Sequence, residues 1–174
     1  MTEQRGLCAY CTRSLADDST TTVEHWRARS APGTDPFAWE DLLAVCPGWA
    51  GSVQTCDRRR GNRPLALHPA RPVPDVEQEV RFHADGRARV ADEHRHEVCE
   101  VLGLDAPLLV RARKQALDAV LAQLRRVPPG ELLAIYEAPD GRLPPFPTLA
   151  LAVLRKAAAR KQSRSRRTRH DRDR

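Results

Sequence analysis

The chain has 174 residues, of which 41% are hydrophobic, 5% aromatic and 30% charged, with a net charge of +6 and a pI near 9.5. That length suits one ordinary domain or a small module with a companion subdomain, and the core must rest on Leu, Val and Ala rather than on aromatic rings. No apolar run approaches the ~20 residues of a spanning helix, which excludes an α-helical membrane protein.

The N-terminal residues before Cys8 carry no apolar leader, so the expectation is a cytoplasmic protein. The richness in Ala, Arg and Pro suggests a GC-rich bacterial source. In a reducing compartment five cysteines read as metal ligands and a spare thiol rather than as disulfides. The positive charge sits at one end. Residues 155–174 hold ten Lys or Arg and two Asp or Glu, leaving the body close to neutral. A basic tail favours a polyanion, most simply nucleic acid, although its plainer reading is a solubilising, disordered end.

Taken in order, Cys8-Ala-Tyr-Cys11 has the spacing of a tight turn in which two thiolates face one ion. Polar residues from Asp17 lead to an expected strand over residues 21–25. Pro32, Gly33 and Pro36 mark a loop. The segment 42–45 should then deliver Cys46 to the first pair, and a loop over residues 47–55 precedes a short helix from Cys56 to Gly61. Three prolines within residues 68–74 read as an extended linker. Ala84-Asp85-Gly86 between two alternating runs predicts a hairpin.

Helices are expected over residues 92–102, 104–124, 131–137 and 148–161. The second carries an apolar stripe of Leu109, Ala112, Ala116, Leu117, Val120, Leu121 and Leu124. Beyond residue 162 the tail should be disordered. The expected architecture is α+β in three parts: a metal-bearing module over 1–66, a hairpin plus helical subdomain over 67–161, and the basic tail.

Four thiolates from two separated pairs can enclose one Zn2+ tetrahedrally, which makes Cys8, Cys11, Cys46 and Cys56 the expected ligands of a structural ion. The nine residues between Cys46 and Cys56 imply a loop inserted in the second pair. Cys99 stands apart, and His94 and His96 beside it point in different directions on a helix, so no second cluster is expected there. Glu24 next to His25, with Asp57 directly after a metal-site cysteine, supplies hard oxygen ligands for Mg2+ or Mn2+ and an imidazole able to deprotonate water. Trp26 and Trp39 are expected in the core.

The order Cys8-x2-Cys11, Glu24-His25, Trp39-x-Asp41-Leu-Leu, Cys46, Cys56-Asp57-x2-Arg60-Gly61 resembles an HNH endonuclease with its ββα-metal finger. More narrowly it is similar to the PtuB-type subfamily found with retrons and with Septu anti-phage systems. There a Glu-His-aromatic-Arg-x-x-Ser run recurs, matched by residues 24–30, and a Trp-x-Asn-Leu-Leu run, matched with Asp41 in place of Asn. The resemblance implies Glu24 as a metal ligand and His25 as the general base. It also implies Asp41 as the residue that holds the loop and orients the histidine, Asp57 as the second metal ligand, and Asn62 as a substitute for it.

It further implies a DNA substrate and work beside an ABC-type ATPase docked on the helical half. Arg27, Arg29, Arg58, Arg59, Arg60 and Arg63 are candidate phosphate contacts, Arg60 in bidentate fashion. The alternatives are an RNA- or tRNA-cleaving effector, since such a centre acts on phosphate and not on the sugar, and a non-catalytic zinc-finger adaptor for nucleic acid.

Overall fold

The computed structural model describes residues 3–16, 20–71 and 75–170, the last seven by backbone alone. The expected turn at residues 17–19, the end of the proline linker at 72–74 and the last four residues of the tail lie outside these. Period-two alternation places strands near where the sequence implies them. β1 (Thr22–His25) pairs antiparallel with β2 (Leu42–Val45), with Glu24 opposite Leu43 and His25 opposite Leu42. Alternation along β1 sends Glu24 inward and leaves Val23 65% exposed.

A 3-10 turn, Trp39–Asp41, leads into β2. The segment expected as plain loop between Cys46 and Cys56 contains a two-residue hairpin, β3 (Trp49–Ala50) with β4 (Val53–Gln54), turning at Gly51 and Ser52. Then α1 (Cys56–Arg60) forms and closes at Gly61, whose amide bonds to the Asp57 carbonyl.

After the short α2 (Val76–Glu79), β5 (Val80–Phe82) and β6 (Ala88–Val90) make the hairpin that Asp85-Gly86 implies. Gly86 is obligatory there. Its φ is +90°, and an added Cβ would lie 2.2 Å from the Val110 carbonyl oxygen of the helix that covers the turn. α3 (Asp92–Arg95) runs into a π-helical segment, His96–Val101, and Gly103 ends it at φ +63°. α4 (Pro107–Gln123) and α5 (Pro129–Glu137) each carry proline at the first turn, where the missing N–H costs nothing. α6 (Pro147–His170) runs nine residues past its expected end, so residues 162–170, expected to be disordered, are helical. The run from Leu149 to Gln162 holds no Gly, Pro or acidic residue, and Ala, Arg and Lys are strong helix formers.

The result is a mixed α/β chain with three separate two-stranded sheets among the described residues. Its larger apolar core extends from Leu7, Leu15, Leu43 and Val45 through Leu65 and Leu67 to Ala88, Val98 and Leu109, and so runs across residue 66 without a break. A smaller core, Val120, Leu132, Ala150 and Leu154, joins α4, α5 and α6. The stripe on α4 is interrupted by a residue the apolar pattern omits. Arg113 is fully buried, donates to the carbonyls of Gly86 (3.1 Å) and Leu104 (2.8 Å), and lies over the Phe82 ring at 4.1 Å. Desolvation lowers its pKa. Leu121, by contrast, faces solvent.

The C-terminal half reaches back over the first cysteine pair. Phe146 donates its amide to the Thr12 carbonyl, Leu143 to that of Arg5, and Arg142 donates to the Leu15 carbonyl. Leu154 has no exposed surface and anchors α6. Leu154→Ala should therefore cost about 2–5 kcal/mol, read as a lowered midpoint in urea denaturation with an unchanged slope.

Candidate metal centre and carboxylate site

Two turns and a helix start bring the four cysteines together. Cys8 and Cys11 flank a tight turn in which the Thr12 amide bonds to the Cys8 carbonyl, Cys46 follows β2, and Cys56 opens α1. All four are buried, none is in a disulfide, and their sulfurs lie within 4.8 Å of one another. Cys8 to Cys56 is 4.0 Å and Cys11 to Cys46 is 3.9 Å. Zn–S bonds of about 2.3 Å at tetrahedral angles place sulfurs about 3.8 Å apart, so the quartet fits zinc.

Among the described residues no other three His, Cys, Asp or Glu gather this closely. Cys46 is held below the ordinary thiol value, first by hydrogen bonding with Cys11 and with Arg13 adding to it, while Cys11 and Cys56 are pushed up. The Arg13 guanidinium reaches the Cys46 sulfur at 2.8 Å. It is an outer partner of the kind that supports a ligand thiolate, and its nearness to the cluster in sequence was the only hint of it.

Cys56 has φ +53°, a left-handed conformation costly to a side-chain-bearing residue. That bend aims the sulfur inward and sets the direction of α1. Asp57 and Arg60, three apart on one helix face, then meet Glu24. The Glu24 carboxyl is buried, has the Asp57 carboxyl as a neighbour, and accepts from the Tyr10 hydroxyl at 3.0 Å and from Arg60. Burial first, then the Asp57 carboxyl, raises Glu24 to about 7.

Arg60 is itself buried. It donates to Glu24, Tyr10 and the carbonyls of His25, Trp26 and Arg63. The expected bidentate phosphate contact by Arg60 is therefore corrected: the guanidinium is an internal strut, because a desolvated charge needs its donors bonded.

His25 lies at the end of β1, and its Nε2 is 3.0 Å from the Pro36 carbonyl oxygen. A carbonyl only accepts, so Nε2 carries the proton in that bond and Nδ1 keeps the lone pair. The ring is thus oriented by Pro36 and not by Asp41. The Asp41 carboxylate is buried and accepts from Arg27 at 2.7 Å and Arg71 at 3.1 Å, while its carbonyl takes the Trp26 amide. It bonds across the loop to Arg27, Arg71 and Trp26 and makes no bond to His25, which it was expected to orient.

The remaining arginines divide. Arg29 is exposed, and Arg27 is half-exposed although paired. Arg58 lies over Trp49 and bonds the Pro47 carbonyl, Arg59 bonds the Glu100 carbonyl, and Arg63 bonds the carbonyls of Arg59 and Arg60. Asn62 is exposed past the end of α1 and makes no hydrogen bond to Glu24 or Asp57. Trp26 is half-buried against His68 and Arg71. Trp39 is 68% exposed, which corrects the expectation that it belongs to the core: its 3-10 turn packs through Asp41.

The sequence reading missed Tyr10 and His68. Tyr10 sits inside the first cysteine pair and joins it to Glu24. His68 is buried, accepts from the Ala70 amide at Nδ1 and bonds the Glu40 carbonyl through Nε2. Compared with protein-family models and with curated proteins, the chain matches none.

Two outcomes follow. Purified protein should hold one zinc by elemental analysis. Cys46→Ser or strong chelation should remove it and abolish the cooperative thermal transition, because a closed thiolate site contributes folding energy directly. For His68, burial lowers the pKa below 6.5. The unfolded chain therefore takes up a proton that the folded chain refuses as pH falls below about 6.5. Its contribution to stability is complete above that value and is lost toward lower pH. A wild-type minus His68→Gln difference in unfolding free energy that stays flat from pH 8 to 5 would contradict this.

Proposed function

We propose that the chain is a metal-dependent endonuclease of the HNH type, hydrolysing phosphodiester bonds in DNA. The observation that carries this reading is the contact between the Glu24 and Asp57 carboxyls, built beside the four-thiolate cluster with His25 next in the chain. Mg2+ characteristically takes one or two carboxylates and completes its shell with water and substrate phosphate oxygens, and these two offer that number. A divalent ion there would neutralise the scissile phosphate and stabilise the leaving oxygen.

The chain's own parts supply the rest. Arg60 and Tyr10 hold Glu24 in place from the inside. Pro36 fixes the tautomer of His25 so that Nδ1 can accept a proton from an attacking water. Arg29, with the exposed part of Arg27, offers positive charge on the loop between β1 and β2.

The resemblance to nucleases of Septu and retron systems supports the same reading. It adds an ABC-type ATPase as partner, with the helices beyond residue 67 as the docking half. A zinc-bearing adaptor without catalysis is the second reading. It is favoured by the saturation of Glu24 by Arg60 and Tyr10, and by the alternation of β1, which turns consecutive side chains to opposite faces. A carboxyl–imidazole centre of this kind acts on the phosphate and does not distinguish the sugar, so RNA belongs in the assay.

Plasmid DNA and tRNA are incubated with Mg2+ or Mn2+, with and without an ABC-type ATPase where the neighbouring genes encode one. His25→Ala should lower the cleavage rate by about 10^2–10^4-fold, and Asp57→Asn should do likewise, with zinc content and circular dichroism unchanged. Equal cutting by wild type and His25→Ala ends the general-base assignment. A folded, zinc-loaded wild type that binds but never cuts is the adaptor.

A further inference from the structure

The chain has eight aromatic Phe, Trp and Tyr residues, yet it leaves two of them almost bare on one loop. Phe37 is 86% exposed and Trp39 is 68% exposed. Water-facing rings of this size forgo the burial that a core short of aromatics would gain from them.

Their loop is held by several bonds. The Phe37 amide donates to Asp35 Oδ1 at 2.9 Å, the Ala38 amide to the Asp35 carbonyl at 3.2 Å, and the Asp41 amide to the Ala38 carbonyl at 3.0 Å. The peptide carbonyl immediately before Phe37 is the one that orients the His25 ring. The backbone at Phe37 is therefore held close to the imidazole, with Trp39 two residues further on.

Charges of both signs lie near these rings. Arg27 and Arg29 are on the same loop with Asp35 and Glu40, and Arg71 joins it through Asp41, so that two guanidinium groups share the Asp41 carboxylate while Arg29 is exposed. Both Arg27 and Arg71 keep a large exposed fraction, 51% and 41% of the side chain. Exposed aromatic faces on a loop that also presents guanidinium surface fit an occupant that is flat-faced and carries phosphates between its rings.

We propose that Phe37 and Trp39 form a stacking platform for unpaired nucleobases, and that the strand presented to His25 is single-stranded or locally unpaired. In a duplex each base face is already covered by its neighbour, and a ring gains a face only by unstacking a step. An unpaired strand offers every face freely, stacking tolerates any base, and arginines follow its phosphates. The platform rests on the nucleic-acid reading above and names its substrate class.

Binding separates the two readings, because it does not require cutting. In the His25→Ala background, full-length protein is titrated with a fluorescein-labelled 20-nucleotide single strand, DNA or RNA, and with the matching duplex. The single strand should bind more tightly. Phe37→Ala and Trp39→Ala should each weaken it by about 5- to 100-fold while leaving duplex affinity unchanged. Phe37→Tyr and Trp39→Phe should restore it, and circular dichroism should be unaltered because neither ring is packed.

Tryptophan fluorescence should be quenched by the single strand in the parent and much less so in Trp39→Phe. A wild type that never cuts, with this binding pattern intact, removes the nuclease and keeps the platform. Equal affinity for strand and duplex overturns the proposal, as does alanine substitution without effect. The latter is the result expected if the rings dock a protein instead.

Discussion

The closure of four thiols around one point is the constraint on which the rest of the structure depends. It joins a turn at residue 8, the end of β2 and the start of α1, segments up to 48 positions apart. Neither β1–β2 nor α1 is long enough to stand alone: two four-residue strands and a five-residue helix fall well below the lengths at which isolated elements persist. A central cation would replace shared protons with four strong bonds. The same point also tolerates the left-handed backbone of Cys56, which no local preference explains.

The carboxyl site is a consequence of that closure. Cys56 enters the cluster and its neighbour Asp57 cannot, so the next side chain on α1 is delivered to the cluster's outer edge. Tyr10, between the two cysteines of the first pair, reaches the same place from the other side. Two carboxyls and one guanidinium then meet in a buried space. Their charges sum to one negative when both acids are ionised. Burial first, and then the neighbouring Asp57 carboxyl, raise the pKa of Glu24 toward 7; a proton there removes the excess, and a divalent cation would remove it in the proton's place. Arg60 compensates part of the charge and cannot compensate all of it.

Much of this was legible from residue types and spacing. The cysteine pairs, the strand carrying Glu24, the Asp-Gly hairpin and the long helix after Leu104 all follow from local signals, and the structure has them within a few residues. What was not legible depends on tertiary contact. Arg60 and Arg113 look like solvated arginines in the sequence, yet one closes a carboxyl network and the other sits in an apolar stripe, since a guanidinium can bond several carbonyls while its planar face packs on a ring. Trp39 reads as core by composition, but a one-turn 3-10 segment buries a single face, and Asp41 takes it. His25 was singled out by its residue type and its place next to Glu24. Its orienting partner, a proline carbonyl eleven residues away, has no signature at all.

The fate of the arginines also changes what the net charge means. Arg5, Arg13, Arg58, Arg59, Arg60, Arg63, Arg113 and Arg142 are each tied to a carbonyl, a carboxylate or a sulfur of the body. They act as cross-links between short elements, a use suited to a chain with few aromatic residues to pack. Counting them as a field for polyanions therefore overstates the pull of the body. The unbalanced charge lies instead along α6, where eight Lys or Arg occur between residues 155 and 170 with no acidic residue among them, on a helix continuous with the packed turn at Leu154. On the nucleic-acid proposal, long-range attraction and close grip would fall to different parts of the molecule. The helix would supply a term that fades as salt rises, and base stacking on the loop beside His25 a term that depends on salt far less.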